Sequence, residues 1–345
     1  MFPDRKLRLA VDGGSSKADV ALVDANGNLI AAARRVGTYH FGLDHNGSLE
    51  ALKKALELLT PSLGLEIDHK AIADIGVYCV AGADIPIDDQ RITGELEGRG
   101  WTAKTIVRND TFAVLRAGSD RDWGVAAVCG TGMNCVGIGP DGRTVRFPSL
   151  GELSGDRAHG GVWLGRAALG AAIRARDGRG EHTSLERLVP EHFSISRPSV
   201  VMEAIYVGRL DEGRLSELAP VVFRAAAKGD RVAQRMIDEL ADEIVVTVNA
   251  AIRRLHVTKR DVHVILGGGV FRSGHKRFLN RIHNGIEAVA PKAVIRRLEA
   301  LPVLGAALIG LDELNATPTA HKRLRGALTH KRLTAHGLAE RLHHR

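Results

Sequence analysis

The stretch LRLAVDGGSSKADVALVDANGN, residues 7–28, joins two apolar runs through a turn of glycine and serine. Each run has the length and alternation of a strand, and an Asn-Gly dipeptide, which favours a hairpin turn, follows the second run. The stretch VAAVCGTGMNCVGIGPDG, residues 125–142, repeats this order and ends in Asp-Gly. A strand–turn–strand unit that occurs twice predicts two similar halves in one chain.

Both glycine turns are candidate phosphate-binding loops. Backbone N–H groups can approach phosphate oxygens closely where no side chain intervenes, and glycine permits this. Ser15, Ser16 and Thr131 would add hydroxyl donors. Asp12, at the end of the first apolar run, would point a carboxylate at a water-shelled Mg²⁺. Two ordinary hairpins would give the same local pattern, so neither turn decides the function alone.

Length and composition are those of an ordinary globular protein. The 345 residues predict two domains, and a hydrophobic content of 44% is typical of a chain with a large core. No apolar run reaches the ~18 residues of a membrane span, so we expect no membrane partner. The N-terminus shows no signal-peptide pattern, and the three cysteines lack metal-ligand spacing. These features favour a reducing, cytoplasmic location.

The net charge of +8 is concentrated near the C-terminus. Residues 316–345 contain seven Lys or Arg and one acid, so the rest of the chain is nearly balanced. We expect this basic tail to be solvated, and a nucleic-acid partner is not expected. The leucines of the tail, spaced by four or five residues, leave an amphipathic helix open as the alternative.

Apolar spacing predicts alternating strands and helices. Strands are expected at 7–12, 18–24, 29–36, 72–80, 105–108, 262–266 and 293–297, besides the pair at 125–142. Helices are expected at 48–59, 88–98, from 111 to 117, at 161–176, over most of 215–257, at 274–290 and at 300–314. Strands followed by helices in both halves predict crossover connections and mixed sheets.

Five motifs in this order resemble the actin-like ATPase superfamily of sugar kinases, hsp70 and hexokinase. Within it the likeness is to the BadF/BadG/BcrA/BcrD ATPase group, which includes N-acetylglucosamine kinases. The motifs are the Asp-Gly-Gly-Ser at Asp12, the Asn-Asp-Thr at Asn109, the Gly-Thr-Gly-Met-Asn at Gly130, the Gly-Asp at Gly155 and the Gly-Gly-Gly-Val-Phe at Gly267. No single motif is decisive, but their shared order makes chance agreement improbable.

The resemblance implies an α/β fold with two actin-like (ribonuclease H-like) domains. Each would have a mixed sheet flanked by helices, with a cleft between the domains. We expect the N-terminal domain at 1–118, the C-terminal domain at 119–314 and the basic tail at 315–345. By the same likeness, the last helix of the second domain would pack on the first.

The resemblance also implies roles for individual residues. Asp110 would be the general base, and Asp12 would lie near Mg²⁺. The residues that would bind ATP are Asp12, Gly13, Gly14, Ser15, Ser16, Lys17, Gly130, Thr131, Gly132, Gly267, Gly268 and Gly269. The residues that would contact the sugar are His40, Gly82, Asn109, Asn134 and Asp156. Judged by local sequence alone, Asp110 is equally a helix N-cap and Asp156 equally a turn residue.

Three positions depart from the family's pattern. Arg157 and His159 stand where such kinases often have Gly-Asp-Glu-Gly-Ser-Gly, and Tyr39 replaces a sugar-contacting asparagine. The pocket is therefore expected to be less acidic than in N-acetylglucosamine kinases. It would suit a different amino sugar or a substrate that carries its own anionic group.

We therefore expect ATP-dependent phosphorylation of a sugar or amino sugar, a small-molecule substrate, and we leave a homodimer open. An activator of radical dehydratases would need cysteines placed around an iron–sulfur cluster. A transcription regulator would need a helix-turn-helix segment. A non-kinase ATPase, or a sugar or nucleotide sensor that acts through a protein partner, shares every binding residue except the base and remains an alternative.

Overall fold

The computed structural model of the chain describes residues 6–37, 41, 47–59, 67 and 71–333. The chain forms two compact units, Met1–Asp122 with Leu298–Arg345, and Trp123–Arg297. The first unit is thus built from both ends of the chain, and the second from its middle. In the described part of the chain, no helix combines the length and the apolar character that a bilayer crossing requires.

Within the described residues, ten strands form two sheets of five. Their bounds are β1 Leu7–Gly13, β2 Lys17–Asp24, β3 Leu29–Val36, β4 Ala73–Val80, β5 Thr102–Asn109, β6 Gly124–Cys129, β7 Met133–Ile138, β8 Thr144–Arg146, β9 His263–Gly267 and β10 Val294–Arg297.

Eleven α-helices lie in the described ranges. Their bounds are α1 Ser48–Leu56, α2 Pro86–Glu97, α3 Asp110–Gly118, α4 Gly161–Arg176, α5 Leu185–His192, α6 Pro198–Tyr206, α7 Ala219–Ala227, α8 Arg231–Arg254, α9 Lys276–Glu287, α10 Pro302–Asp312 and α11 Pro318–Ala327. Short 3-10 helices occur at Glu57–Leu59, Gly151–Ser154, Glu212–Leu218 and Val270–Ser273.

The two sheets have the same topology. In the first unit the order is β3-β2-β1-β4-β5, with β1 antiparallel to β2 and parallel to β4. In the second unit the order is β10-β9-β6-β7-β8, with β6 antiparallel to β7 and parallel to β9. Each repeated hairpin is therefore the start of one sheet. The prediction of an α/β fold with two mixed sheets flanked by helices is confirmed.

Both faces of the first sheet are buried. Leu9 and Val11 of β1 face the cluster that includes Leu52 of α1, whereas Ala10 faces the cluster that includes Ala113 of α3 and Leu308 of α10. Successive side chains of a strand point to opposite faces, so Asp12 shares the face covered by α3 and α10.

Helices α3 and α10 touch through their backbones. A Cβ on Gly305 of α10 would overlap the backbone of Ala113 of α3, so only glycine permits this approach. The close contact fixes the lateral distance between α10 and the helix that Asp110 begins.

The C-terminal tail is not solvated as far as residue 333. Helix α11 begins after Thr317, whose hydroxyl oxygen accepts a hydrogen bond from the N–H of Ala320. Leu324, Leu328 and Leu333 are at most 2% exposed and belong to the same cluster as α3 and α10. The expectation of a solvated tail is therefore wrong for this part of it, because the leucine spacing forms an apolar face.

Two of the differences between the predicted and the observed elements have a clear physical reason. The region predicted as mostly helical over 215–257 is broken between α7 and α8, where Gly229 has a φ of 92° and Asp230 caps α8. Strand β5 begins at Thr102 and not at 105, because Ala103 and Lys104 are exposed and hide the apolar pattern of a strand.

Candidate active site

Three carboxylates lie at or just after the carboxyl ends of the three parallel strands of the first unit. Asp12 is the next-to-last residue of β1, Asp84 lies four residues after β4, and Asp110 directly follows β5. The carboxyl ends of adjacent parallel strands lie at one edge of a sheet, where ligands of α/β folds collect. The negative charges of Asp12 and Asp84 both act on the carboxyl group of Asp110. We call these three residues the acidic site.

Asp110 is half-buried at the start of α3. Burial and the charges of Asp12 and Asp84 raise the pKa of Asp110 to about 7. Hydrogen bonds from the backbone N–H groups of Asp110 and Thr111 act in the opposite direction. A carboxyl group that titrates near neutral pH is well suited to accept a proton from a substrate.

The N-cap of α3 is Asn109. Its Oδ1 accepts hydrogen bonds from the N–H of Thr111 at 3.0 Å and from the hydroxyl of Thr111 at 2.6 Å. Its Nδ2 donates to Oδ1 of Asp84 at 2.8 Å. Capping therefore does not account for Asp110, whose carboxyl group lies in the first helical turn, where the helix dipole favours a negative charge.

Asp12 belongs to a row of charges across three strands. The register sets Asp12 opposite Asp19 and Asp19 opposite Arg34. Arg34 donates to both oxygens of Asp19 at 2.6 and 2.7 Å. Lys17 Nζ lies 2.6 Å from Asp19 Oδ2 and 3.6 Å from Asp12 Oδ2. Burial raises the pKa of Asp12 to about 6, and the charge of Lys17 opposes this rise.

The first glycine turn connects Asp12 with Lys17. The N–H of Gly14 donates to the carbonyl of Lys17 at 2.9 Å, which closes the turn. Gly13 is buried, whereas Ser16 is exposed. The predicted ATP-binding residues Gly13, Gly14, Ser15, Ser16 and Lys17 thus form one turn beside Asp12.

The donor set of the acidic site fits Mg²⁺. The described residues contain no group of three or more His, Cys, Asp or Glu that could hold a metal ion by themselves. Mg²⁺ commonly binds through one or two carboxylates, with water and phosphate oxygens as its other ligands. The raised pKa values of Asp12 and Asp110 indicate negative charge that a cation would stabilise. Asp12 would hold such an ion.

The sequence pattern did not single out Asp84. It ends the turn Ala81-Gly82-Ala83-Asp84, in which Gly82 has a φ of 86°. A polar residue that follows a buried strand, at the same sheet edge as Asp12 and Asp110, is the signal that could have found it.

Gly82, a predicted sugar contact, is buried in this turn. The carbonyl of Ala81 accepts a hydrogen bond from the N–H of Phe41 at 2.8 Å, and Arg91 donates to the carbonyl of Phe41. Phe41 is 0% exposed and is fixed beside the turn. The predicted contact His40 and the departure at Tyr39 lie outside the described residues.

In the second unit, the turn Gly130–Gly132 packs against the start of α4. The N–H of Gly161 donates to the carbonyl of Gly130 at 2.8 Å, and the N–H of Val162 donates to the carbonyl of Thr131 at 3.0 Å. Gly160 has a φ of 98°, and a Cβ there would lie 2.5 Å from the carbonyl carbon of Gly132. The turn can keep this position only because residue 160 has no side chain.

A third glycine segment packs on Cys129, the last residue before the same turn. Gly268, with a φ of 101°, lies so close to the backbone of Cys129 that a Cβ would overlap it. Thr131 and Gly132 remain exposed. The structure therefore brings the predicted segments 130–132 and 267–269 together, although they are far apart in the chain.

Asn134 and Asp156, the predicted sugar contacts of the second unit, are held by local hydrogen bonds. Asn134 Oδ1 accepts from the N–H of Cys135 at 2.6 Å, and Asp156 Oδ2 accepts from the hydroxyl of Ser154 at 2.6 Å. The interpretation of Asp156 as a turn residue is thus compatible with its surroundings.

Glu243 of α8 is a further acidic group near Asp156. Its carboxylate accepts a hydrogen bond from the backbone N–H of Arg157, and burial together with the charge of Asp156 raises its pKa. The side chain of Arg157 is exposed, and His159 is partly exposed. Glu243 lies about ninety residues away in the sequence, so no local pattern could have linked it to this stretch.

The curated relatives of the chain are sugar kinases by name. An N-acetylmuramic acid/N-acetylglucosamine kinase from Clostridium acetobutylicum is 26% identical over 296 residues, which cover 83% of this chain and 94% of that protein. An N-acetyl-D-glucosamine kinase from Dictyostelium discoideum is 24% identical over 327 residues, which cover 89% and 98%.

Solved structures share the fold. A candidate N-acetylglucosamine kinase from Chromobacterium violaceum matches with a TM-score of 0.69 at 23% identity, covering 88% of this chain and 98% of that one. The model of the BadF/BadG/BcrA/BcrD ATPase family matches residues 9–310. The expected likeness is confirmed: the chain belongs to the BadF/BadG/BcrA/BcrD ATPase family.

Proposed function

We propose that the protein is an ATP-dependent kinase that phosphorylates a hydroxyl group of a sugar or amino sugar. The observation that carries this proposal is the half-buried carboxyl group of Asp110, with a pKa raised to about 7 between Asp12 and Asp84. Family membership and the names of the curated relatives support the reaction class.

Asp110 would be the general base. Its carboxylate would accept the proton of the acceptor hydroxyl while that oxygen forms a bond to the γ-phosphorus of ATP. The bond between the γ-phosphorus and the bridging oxygen of ADP breaks in the same step. Phosphoryl transfer depends mainly on positioning and charge stabilisation, so a well-oriented carboxylate meets most of the chemical need.

The glycine turns would bind the nucleotide. Thr131 and Gly132 are exposed in the second unit and would offer backbone N–H groups and a hydroxyl, and the segment 267–269 packs beside the turn 130–132. The Gly13–Lys17 turn of the first unit would add donors and a positive charge. Asp12 would hold Mg²⁺ through water, and the ion would neutralise phosphate charge when bound.

Asn109, Gly82, Asn134 and Asp156 are the proposed sugar contacts, with His40 as a further one. Asn109 already donates to Asp84, so its amide group is oriented before any ligand arrives. Oriented polar groups lower the entropic cost of binding a polyhydroxyl ligand.

An amino sugar with an anionic substituent is a proposed substrate beside N-acetylglucosamine. The Clostridium acetobutylicum relative is named for both N-acetylmuramic acid and N-acetylglucosamine. Arg157 follows Asp156 directly, and its side chain is exposed. A guanidinium group in this position would favour a carboxylate on the sugar.

A cytoplasmic location is part of the proposal. Cys79, Cys129 and Cys135 are free and buried, as expected in a reducing compartment. A homodimer remains a prediction that the oligomeric state in solution would test.

The test is a coupled ADP-release assay with Mg-ATP and a panel of sugars. The panel contains N-acetylglucosamine, N-acetylmuramic acid, N-acetylmannosamine, glucosamine and glucose. Asp110→Asn is the test variant, and Asp122→Asn is the matched control because Asp122 is an exposed residue of the same unit. We expect turnover with at least one amino sugar, its loss in Asp110→Asn and its retention in Asp122→Asn.

The opposite results would redirect the assignment. Full activity of Asp110→Asn would remove Asp110 from the mechanism. ATP binding without turnover of any sugar would favour the alternative of a sensor or partner-activating ATPase.

A further inference from the structure

We propose that Arg325 is a positioning residue, which holds the helix that begins with Asp110 from its opposite end. The inference rests on the proposed function, in which Asp110 is the base. Arg325 lies in α11, in the basic part of the chain to which the sequence assigned no role.

Arg325 binds the carbonyl groups with which α3 ends. Its Nη1 donates to the carbonyl of Ala117 at 2.8 Å, and its Nη2 donates to those of Arg116 at 3.0 Å and Ser119 at 2.7 Å. The last carbonyls of a helix have no partner within the helix, and the C-terminal end carries partial negative charge. A guanidinium group satisfies both requirements.

A second contact ties α3 to the same segment. Asp312, at the end of α10, accepts hydrogen bonds from Arg116 of α3 at 2.7 and 3.0 Å. Nε2 of His321 in α11 lies 2.7 Å from Oδ1 of Asp312. The C-terminal segment is therefore joined to the last turn of α3 through two arginines. Arg325 of α11 donates to carbonyl groups of α3, and Arg116 of α3 donates to Asp312 of α10.

These contacts hold the C-terminal end of α3, whereas its N-terminal end directly follows β5 and is tied to Asp84 through Asn109. The backbone contact between Gly305 and Ala113 fixes the lateral distance of α3 from α10. The hydrogen bonds of Arg325 are directional, so they define the place of the C-terminal end of α3. Arg325 thus fixes the direction of α3 from its C-terminal end, and a tilt of this short helix would reorient Asp110 in its first turn.

The chain offers a matched control two residues away. Arg323 is an exposed arginine of α11 that donates to the carbonyl of Asn26 at 2.7 Å, at the hairpin turn between β2 and β3. It is in the same helix and the same basic segment, but its hydrogen bond goes to this turn and not to α3. Arg325→Gln and Arg323→Gln remove the same charge, so any difference between them reports the contact with α3.

The experiment measures catalysis, nucleotide binding and hydrogen exchange in the full-length protein. We expect Arg325→Gln to lower kcat for the preferred sugar about tenfold, because small displacements of a catalytic group reduce rates strongly. The Kd for Mg-ATP should stay within about twofold, since the base contributes to the transition state and not to nucleotide binding. Amide exchange of residues 110–118 should accelerate, while that of α8 stays unchanged.

Arg325→Lys should recover part of the rate, because one ammonium group can replace some of the donors. This variant also decides the matter if Arg325→Gln fails to fold. Arg323→Gln should match the wild type in all measurements.

Three results separate the possibilities. Unchanged kcat and unchanged exchange of α3 in Arg325→Gln would overturn the positioning role. Equal losses in both glutamine variants would also overturn it, because they would indicate general destabilisation. If the wild type phosphorylates no sugar, the proposed function fails instead, and the exchange of α3 still tests the contact made by Arg325.

Discussion

Raising the pH from 6 to 8 is expected to increase kcat/KM of sugar phosphorylation about tenfold. The structure raises the pKa of Asp110 to about 7 through burial and the charges of Asp12 and Asp84. With that pKa, about 9% of Asp110 is ionised at pH 6 and about 91% at pH 8, and only the ionised form accepts a proton. With the ordinary aspartate pKa of 3.8, the group would be ionised at both pH values and the profile would be flat.

The assay is ADP release at saturating Mg-ATP with N-acetylglucosamine, whose groups do not titrate in this range. Asp12, with a pKa raised to about 6, would affect nucleotide binding. The Kd for Mg-ATP is therefore measured at both pH values, and the kcat/KM values are corrected for any change in nucleotide binding.

Asp84→Asn sharpens this test. It removes one of the negative charges that raise the pKa of Asp110, so the midpoint of the profile should move to lower pH. Asp122→Asn, at an exposed position, should leave the midpoint in place. A flat wild-type profile, or an Asp84→Asn midpoint equal to that of the wild type, would refute the electrostatic account of the acidic site.

Three further predictions follow from contacts described above. Asp110→Asn should raise Tm, and the gain should grow between about pH 4 and pH 7 and level off above pH 7. The reason is that the folded state raises the pKa of Asp110, so the wild type loses stability as the pH rises through that window. Thermal melts at pH 5 and pH 8 check this, and an equal gain in Tm at both pH values would contradict it. Gly160→Ala should weaken Mg-ATP binding at least about tenfold, because a Cβ at a residue with a φ of 98° would displace the turn 130–132. Calorimetry compares this variant with Gly170→Ala, whose added Cβ meets open space. Equal affinities of the two variants for Mg-ATP would be evidence against this turn as a nucleotide site. Lys17→Met should raise the pKa of Asp12 further, because the positive charge that opposes the effect of burial is lost. The KM for Mg-ATP should then rise more at pH 6 than at pH 8. A change in KM that is the same at both pH values would count against the interaction of Lys17 with Asp12.

The repeated hairpins were predictable because their signals are local. Strands of alternating apolar residues and turns with glycine depend on neighbours within a few positions. Asp12 could be singled out for the same reason, whereas Asp110 was singled out by the resemblance, because its local sequence fits a helix N-cap equally well. The alternation of strands and helices predicted crossover connections and mixed sheets, and the parallel pairings of β1 with β4 and of β6 with β9 agree with it.

What the sequence could not provide depends on contacts between distant positions. Asp84 belongs to the candidate site because it accepts a hydrogen bond from Asn109 and its charge acts on Asp110. Glu243 is a further candidate because the charge of Asp156 acts on its carboxyl group. The apolar face of α11 was visible as a leucine spacing, but its burial depends on the surface that α3 and α10 present. Only the three-dimensional arrangement identifies such partners.

The division of the first unit between the two ends of the chain has a consequence for synthesis. Residues 302–333, which complete its core, leave the ribosome after the whole of Trp123–Arg297 has been made. Domains fold as units while the chain grows from its N-terminus. The middle of the chain can therefore reach its final form first, while one face of the nascent sheet β1–β5 still lacks the cover of α10 and α11. During that interval this face is exposed apolar surface of the kind that promotes aggregation.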